Sequence, residues 1–168
     1  MVLPTSYMGS VEWYRLFLAN PSGVQIEVME SFPKQTYRNR CTITTPDGPL
    51  TLSIPVKRAD SKQQRWQHQH WIALTSAYKR TPYFYYYADF FRPFYEKETK
   101  FLVDFNEKIH EVIVRLMANQ AKGEEAKRLL GKNRTTDWQG LDLEPCFGNG
   151  QSILDLLFEY GPETIMKI

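Results

Sequence analysis

The chain has 168 residues, 42% of them hydrophobic and 14% aromatic, which fits one domain with enough apolar surface for a packed core. A net charge of +2 gives the chain as a whole no strong attraction for nucleic acid or an acidic membrane. No apolar run approaches the roughly 18 residues that span a bilayer, and the first residues lack the pattern of a secretory leader, so the cytoplasm is the expected location.

Val2 to Tyr7 reads as a short strand ended by Gly9. Ser10 can cap a helix in which Val11, Tyr14 or Arg15, and Leu18 fall at helical spacing. Asn20-Pro21-Ser22-Gly23 is a turn, and Val24 to Val28 alternates as a half-buried strand. Tyr37 to Thr45 and Leu50 to Arg58 alternate with period two around Pro46-Asp47-Gly48-Pro49, a sequence with strong turn chemistry. A four-residue loop would pair Thr45 with Leu50, Cys41 with Ile54 and Asn39 with Val56 on the ladder. The apolar face then carries Cys41, Ile43, Leu52 and Ile54, and the other face sets Arg38 directly opposite Lys57.

From Trp66 the pattern turns helical until Pro82. The aromatic stretch Tyr83 to Tyr87 opens a second helix, with Phe84, Tyr87, Phe91 and Phe94 on one stripe and a break expected at Pro93. Leu102, Phe105, Ile109, Val112 and Leu116 mark the strongest amphipathic helix. Residues 121–150 read as a polar connector. Ser152-Ile153-Leu154-Asp155 resembles a capping box that starts a short helix ended by Gly161-Pro162. The predicted fold is a single mixed α/β domain over residues 1–168: a small sheet with a central β-hairpin, covered by three to four helices.

Charge is unevenly spread. Between Ser31 and Arg80 nine basic residues face only Asp47 and Asp60, a local excess of +7 that points to an anionic ligand or to a solvated basic face. Cys41 and Cys146 are isolated, without CxxC or His at ligand spacing, and read as reduced structural thiols. His68 and His70 at i, i+2 point to different sides of a helix, which argues against a metal site. There is no paired-carboxylate, Ser/His/Asp, Walker or dinucleotide-binding signature, so neither a metal nor a cofactor is expected and enzyme status stays open.

Several blocks resemble the WbqC-like family: Lys34-Gln35-Thr36-Tyr37-Arg38-Asn39-Arg40 with the hairpin that ends Ile54-Pro55-Val56; His70-Trp71 leading to Ala77-Tyr78-Lys79-Arg80-Thr81-Pro82; Leu102-Val103-Asp104-Phe105-Asn106; and Ser152 to Phe158 with Gly161-Pro162. The variant is similar to the branch from the Bacteroides group. Many members carry Gln-Pro before aromatics where this chain has Leu3-Pro4-Thr5-Ser6-Tyr7, and the stretches from Arg58 to Trp66 and from Leu143 to Ile153 are short by comparison. The resemblance implies a role in O-antigen and surface-polysaccharide biosynthesis, with glycine, amino-acid or acyl transfer to a sugar as the suggested chemistry.

Each candidate site residue has two readings. Arg38, Arg40 and Lys57 form either a solvated or salt-bridged basic face, or a seat for phosphate or carboxylate, which Arg forks bind bidentately. Asn39, on the apolar side, either pins neighbouring backbone or meets a ligand. His70 is either a satisfied core histidine or a general acid–base, and His110 is expected at the surface. Asn106 either belongs to the start of the longest helix as a capping group or reaches a ligand between helix and sheet. Tyr83 to Tyr87 are core, or a stacking wall for a base or sugar. Tyr78 joins the set through the resemblance. The combined expectation is a transferase handling an anionic nucleotide- or phosphate-linked donor, with His70 as candidate base. The rivals are a binding module for RNA, with nucleic acid the less favoured partner, and a scaffold for a partner protein, for which a large exposed aromatic patch would be the sign.

Overall fold

The computed structural model describes residues 1–19, 24–28, 36–56, 65–119, 134–135 and 150–168. Its elements in chain order are β1 (Val2–Pro4), α1 (Val11–Ala19), β2 (Gln25–Glu27), β3 (Arg40–Thr45), β4 (Gly48–Ser53), α2 (Arg65–Tyr78), α3 (Phe84–Glu96), α4 (Leu102–Ala118), β5 (Arg134–Thr135) and α5 (Ile153–Tyr160), followed by a 3-10 stretch over Gly161–Lys167. This is the mixed α/β fold that the periodicities predict. The strands fall into two sheets: parallel β1-β2-β5, and the antiparallel hairpin β3-β4. Pro4 sits in edge strand β1, where the missing N–H costs no ladder bond.

The hairpin keeps the predicted faces but not the predicted register. Thr45 pairs with Gly48, Ile43 with Leu50, Cys41 with Leu52 and Arg40 with Ser53, so the loop is the two residues Pro46-Asp47. Gly48 takes φ +113°, a backbone conformation that closes the loop tightly, and the Thr45 hydroxyl donates to its carbonyl at 2.7 Å. A shift of two residues leaves every side chain on its own face. Cys41, Ile43, Leu52 and Ile54 are accordingly all buried. Arg38 lies before the strand rather than within it.

Two further expectations are corrected. Helix α3 runs through Pro93 without a break: Pro93 is exposed, and it is Asp89, also exposed, whose carbonyl loses the helical partner, toward the solvent side. His110 is not a surface residue. It packs against the rings of Trp13, Tyr14 and Phe17 at 5.3, 5.6 and 4.9 Å, with Nδ1 bonded to the Tyr14 hydroxyl at 3.1 Å.

The core gathers α1, α2, α3, α4 and α5 around the inner hairpin face, with Trp13, Phe17, Phe91, Phe105 and Phe158 among its largest buried side chains. A short segment joins the two sheets. Val11 N–H donates to the Gln151 carbonyl, Ser152 N–H to Thr42, and Ile153 N–H to Gly9, at 2.8–2.9 Å. The Ser152 hydroxyl also donates to the Met8 carbonyl at 2.8 Å. Ser152 caps α5 by accepting from Leu154 N–H, but the capping box is only half formed, because Asp155 turns its carboxylate to the hairpin instead.

Candidate ligand-binding site

The residues singled out in the sequence converge on the turn that precedes β3. Backbone bonds fix it: Asn39 N–H donates to the Thr36 carbonyl at 3.3 Å, and Tyr7 N–H donates to the Tyr37 carbonyl at 2.9 Å. The Ser6 hydroxyl donates to that same carbonyl. Asn106, only 1% exposed on α4, donates its amide N–H to the Arg38 carbonyl at 2.7 Å. Asn106 is therefore not a helix cap but a tie between α4 and the turn. Asn39 prolongs the hairpin ladder: its amide donates to the Ile54 carbonyl at 2.8 Å, while Ile54 N–H donates to its backbone carbonyl at 2.7 Å.

Arg38 is buried at 4% exposure rather than facing outward, and one of its guanidinium nitrogens donates to the Thr36 hydroxyl at 3.3 Å. Arg40 starts β3, on the face opposite to Cys41 and Ile43 by strand alternation. Lys57 lies outside the described residues, as do Lys34, Arg58 and Cys146. The observed register removes the expected direct opposition of Arg38 and Lys57.

Polar satisfaction marks this turn out. Among the described residues four buried side-chain polar atoms have no hydrogen-bond partner: Asn39 Oδ1, Arg40 Nε, Asn106 Oδ1 and Thr75 Oγ1. Three of the four belong to the turn, or to the helix side chain bonded to it. Buried polar groups are nearly always paired, since leaving one unmade costs about 1–3 kcal/mol. One charged donor and two amide acceptors suit a ligand that brings an anion and hydroxyl or amino groups.

Two clefts flank the turn. The first lies beyond the carboxyl ends of β1 and β2, between Thr5, Ser6, Tyr14, Val28, Asn106 and His110. It is a narrow crevice, with room at its floor for about one water-sized group. The second, about 130 Å³, opens where β4 ends, between Ile54, Pro55, Trp66, Lys100, Phe101 and Phe105. Sequence reasoning missed this cleft, because its walls come from three distant segments. The aromatic residues Trp66, Phe101 and Phe105 were its only signal.

His70 lies on α2 at 5% exposure. Its Nδ1 is 2.9 Å from the Tyr7 hydroxyl, which is 2.9 Å from the Tyr95 hydroxyl, and the imidazole also bonds to the Ser53 backbone. Burial pushes the imidazole down to about 4, against the opposing pull of Ser53. The ring is thus neutral and donates to the Ser53 carbonyl. That leaves Nδ1 to accept from Tyr7, and Tyr7 to accept from Tyr95. Burial raises both phenols far above the usual range, so they stay protonated.

Tyr78 stands apart from the turn. Its hydroxyl donates to Asp155 at 2.5 Å, and the same carboxylate accepts from Thr44 N–H at 3.1 Å and from the Thr44 hydroxyl at 2.7 Å. Burial, then the neighbouring Asp155 charge, holds the Tyr78 phenol well above its ordinary range. Cys41 is a buried free thiol, also pushed up by burial. Among the described residues no cluster of His, Cys, Asp and Glu has the make-up of a metal site, and no helix is long and apolar enough to cross a membrane.

The model of the WbqC-like protein family matches residues 28–146, a span that holds the turn, the hairpin and helices α2 to α4. Neither the curated proteins nor the solved structures yield a match.

Proposed function

The chain belongs to the WbqC-like protein family, and from that premise we propose that it acts in surface-polysaccharide (O-antigen) biosynthesis, in the cytoplasm, as a transferase that binds an anionic nucleotide- or phosphate-linked donor at the 36–40 turn. The observation that carries this reading is a set of unpartnered buried atoms on the residues of the turn and on the α4 side chain bonded to it: Arg40 Nε, Asn39 Oδ1 and Asn106 Oδ1. Arg40 donates to a phosphoryl oxygen, with Arg38 and Lys57 adding positive potential, and the two amides accept from hydroxyls of the carried group. His70, with both nitrogens engaged by the protein, serves to hold the end of β4 and Tyr7 in place rather than to move a substrate proton. Tyr78 supports the hairpin through Asp155.

Thermal shift against nucleotide sugars and sugar phosphates tests this. A donor at 100 times its Kd stabilises the folded chain by about 2.7 kcal/mol, a rise of roughly 5–10 °C at this size. Arg40→Ala is expected to abolish that rise while the ligand-free melting temperature stays close to the parent's. An unchanged ligand response in the variant would remove Arg40 from the site.

A second reading, an RNA-binding module, is favoured by Tyr85 and Tyr86, each 74% exposed on α3 and free to stack on bases. Polynucleotide binding that falls steeply with salt and is lost in Tyr85→Ala/Tyr86→Ala would replace the transferase reading.

A further inference from the structure

The larger cleft shares a wall with the turn, and its chemistry differs from that of the turn. Ile54, which lines it, exchanges hydrogen bonds with Asn39 in both directions. Trp66 and Phe105 form an edge-to-face pair at 5.4 Å on one side, and the Trp66 ring also meets His70 at 5.1 Å. Phe101 stands at the rim, 58% exposed, with the Lys100 ammonium 5.4 Å from its ring centre. The cleft thus presents aromatic faces, an exposed ring free to stack, and a single cation beside that ring. The side chains that line the cleft bring hydrogen-bonding groups on Trp66, Thr99 and Lys100, fewer than a sugar with several hydroxyls needs, whereas the turn adds the unpartnered groups of Asn39, Arg40 and Asn106. A planar heterocycle needs aromatic faces and few hydrogen bonds.

We propose that this cleft seats the base of a nucleotide-linked donor, with Phe101 and Trp66 as the stacking faces and the phosphates directed toward the 36–40 turn. The inference rests on the donor-binding reading and narrows its donor from any phosphate-linked species to a nucleotide. Lys100 balances the first phosphate or the polar edge of the base. The shared Asn39–Ile54 ladder makes the base and phosphate sites parts of one rigid strand end.

The test is calorimetric titration of the full chain with uridine, cytidine, guanosine and thymidine diphosphates, beside inorganic pyrophosphate and glucose 1-phosphate. Tryptophan fluorescence is followed in parallel. At least one nucleotide is expected to bind roughly tenfold or more tighter than pyrophosphate and to quench a signal that Trp66→Phe removes. Phe101→Ala, a change at an exposed ring, is expected to cancel that advantage and leave pyrophosphate binding unchanged, whereas Arg40→Ala weakens both. If pyrophosphate and glucose 1-phosphate bind but no nucleotide binds better, or if Phe101→Ala changes nothing, the base site is overturned and the anion site stands. If none of these ligands binds, the donor-binding reading itself falls.

Discussion

His70 and His110 are both held near pKa 4 by burial, below the ordinary imidazole value of about 6.5. Because the folded value is depressed, the unfolded chain takes up protons first as the pH drops. The stability is therefore complete above about pH 6.5 and is lost progressively between 6.5 and 4. Each ring accounts for up to about 3 kcal/mol over that window. His70→Gln removes one of the two titrating groups while keeping an amide that can still donate to Ser53 and accept from Tyr7. Urea denaturation across pH 4.5–6.5 is expected to show an acid limb shallower by about 1.4 kcal/mol per pH unit in the variant, the slope of one proton. Coincident limbs would mean that His70 is already protonated when folded, and with it the direction of the Tyr95–Tyr7–His70 chain would be wrong.

At the scale of elements, the Asp155 carboxylate ties α5 to the hairpin and to α2 at once, through Thr44 and Tyr78. In a hairpin closed at Thr45 and Gly48, the N–H of Thr44 points away from β4, where Pro49 stands opposite with no donor of its own. Asp155 takes up that outward N–H, so the two-residue loop and the half-formed capping box are linked facts. Asp155→Asn replaces a charged acceptor with an amide that turns a donor toward one of three donors, and the expected loss is about 1–3 kcal/mol. A double-mutant cycle with Tyr78→Phe should then give a coupling near 1 kcal/mol, and additive effects would dissolve the link.

The sequence pattern carried the hairpin's existence and its faces but not its pairing. A period-two pattern looks the same after a shift of two, and Pro46-Asp47-Gly48-Pro49 supports either loop until the backbone angle at Gly48 chooses. Asn39 was legible for a related reason: a polar residue inside an apolar pattern needs a partner, and it was found bonded to backbone with one acceptor left over, whereas Asn106, read as a cap at the helix start, turned out to be buried and bonded to the Arg38 carbonyl. Arg38 misled because strand alternation was extended into what is a turn. The aromatic cleft was not legible, since Ile54, Trp66 and Phe101 meet only after three separate elements have packed.

At the scale of the whole molecule, the two sheets share no paired strands among the described residues. They are joined by the residues that follow Gly150, which lie between the loop after β1 and the outer edge of β3. Gly150 makes this approach sterically feasible: a β-carbon there would stand 2.8 Å from the β-carbon of Ser10, an atom with no freedom to swing aside. Gly150→Ala should therefore push Gln151 and Ser152 off Ser10 and weaken the bonds from Val11, Ser152 and Ile153 together. The expected cost is several kcal/mol, well above the roughly 1 kcal/mol of an ordinary substitution. Gly48→Ala is the control, because its β-carbon meets open space and only the backbone angle is strained. Equilibrium unfolding followed by both far-ultraviolet dichroism and tryptophan fluorescence separates the outcomes. In Gly150→Ala the two signals should part, because the hairpin and the parallel sheet no longer melt as one unit. In Gly48→Ala they should stay superimposed at a modestly lower midpoint. Superimposed curves in both variants would show that helix packing alone couples the sheets, and that the crossing at Ser152 adds stability without adding cooperativity.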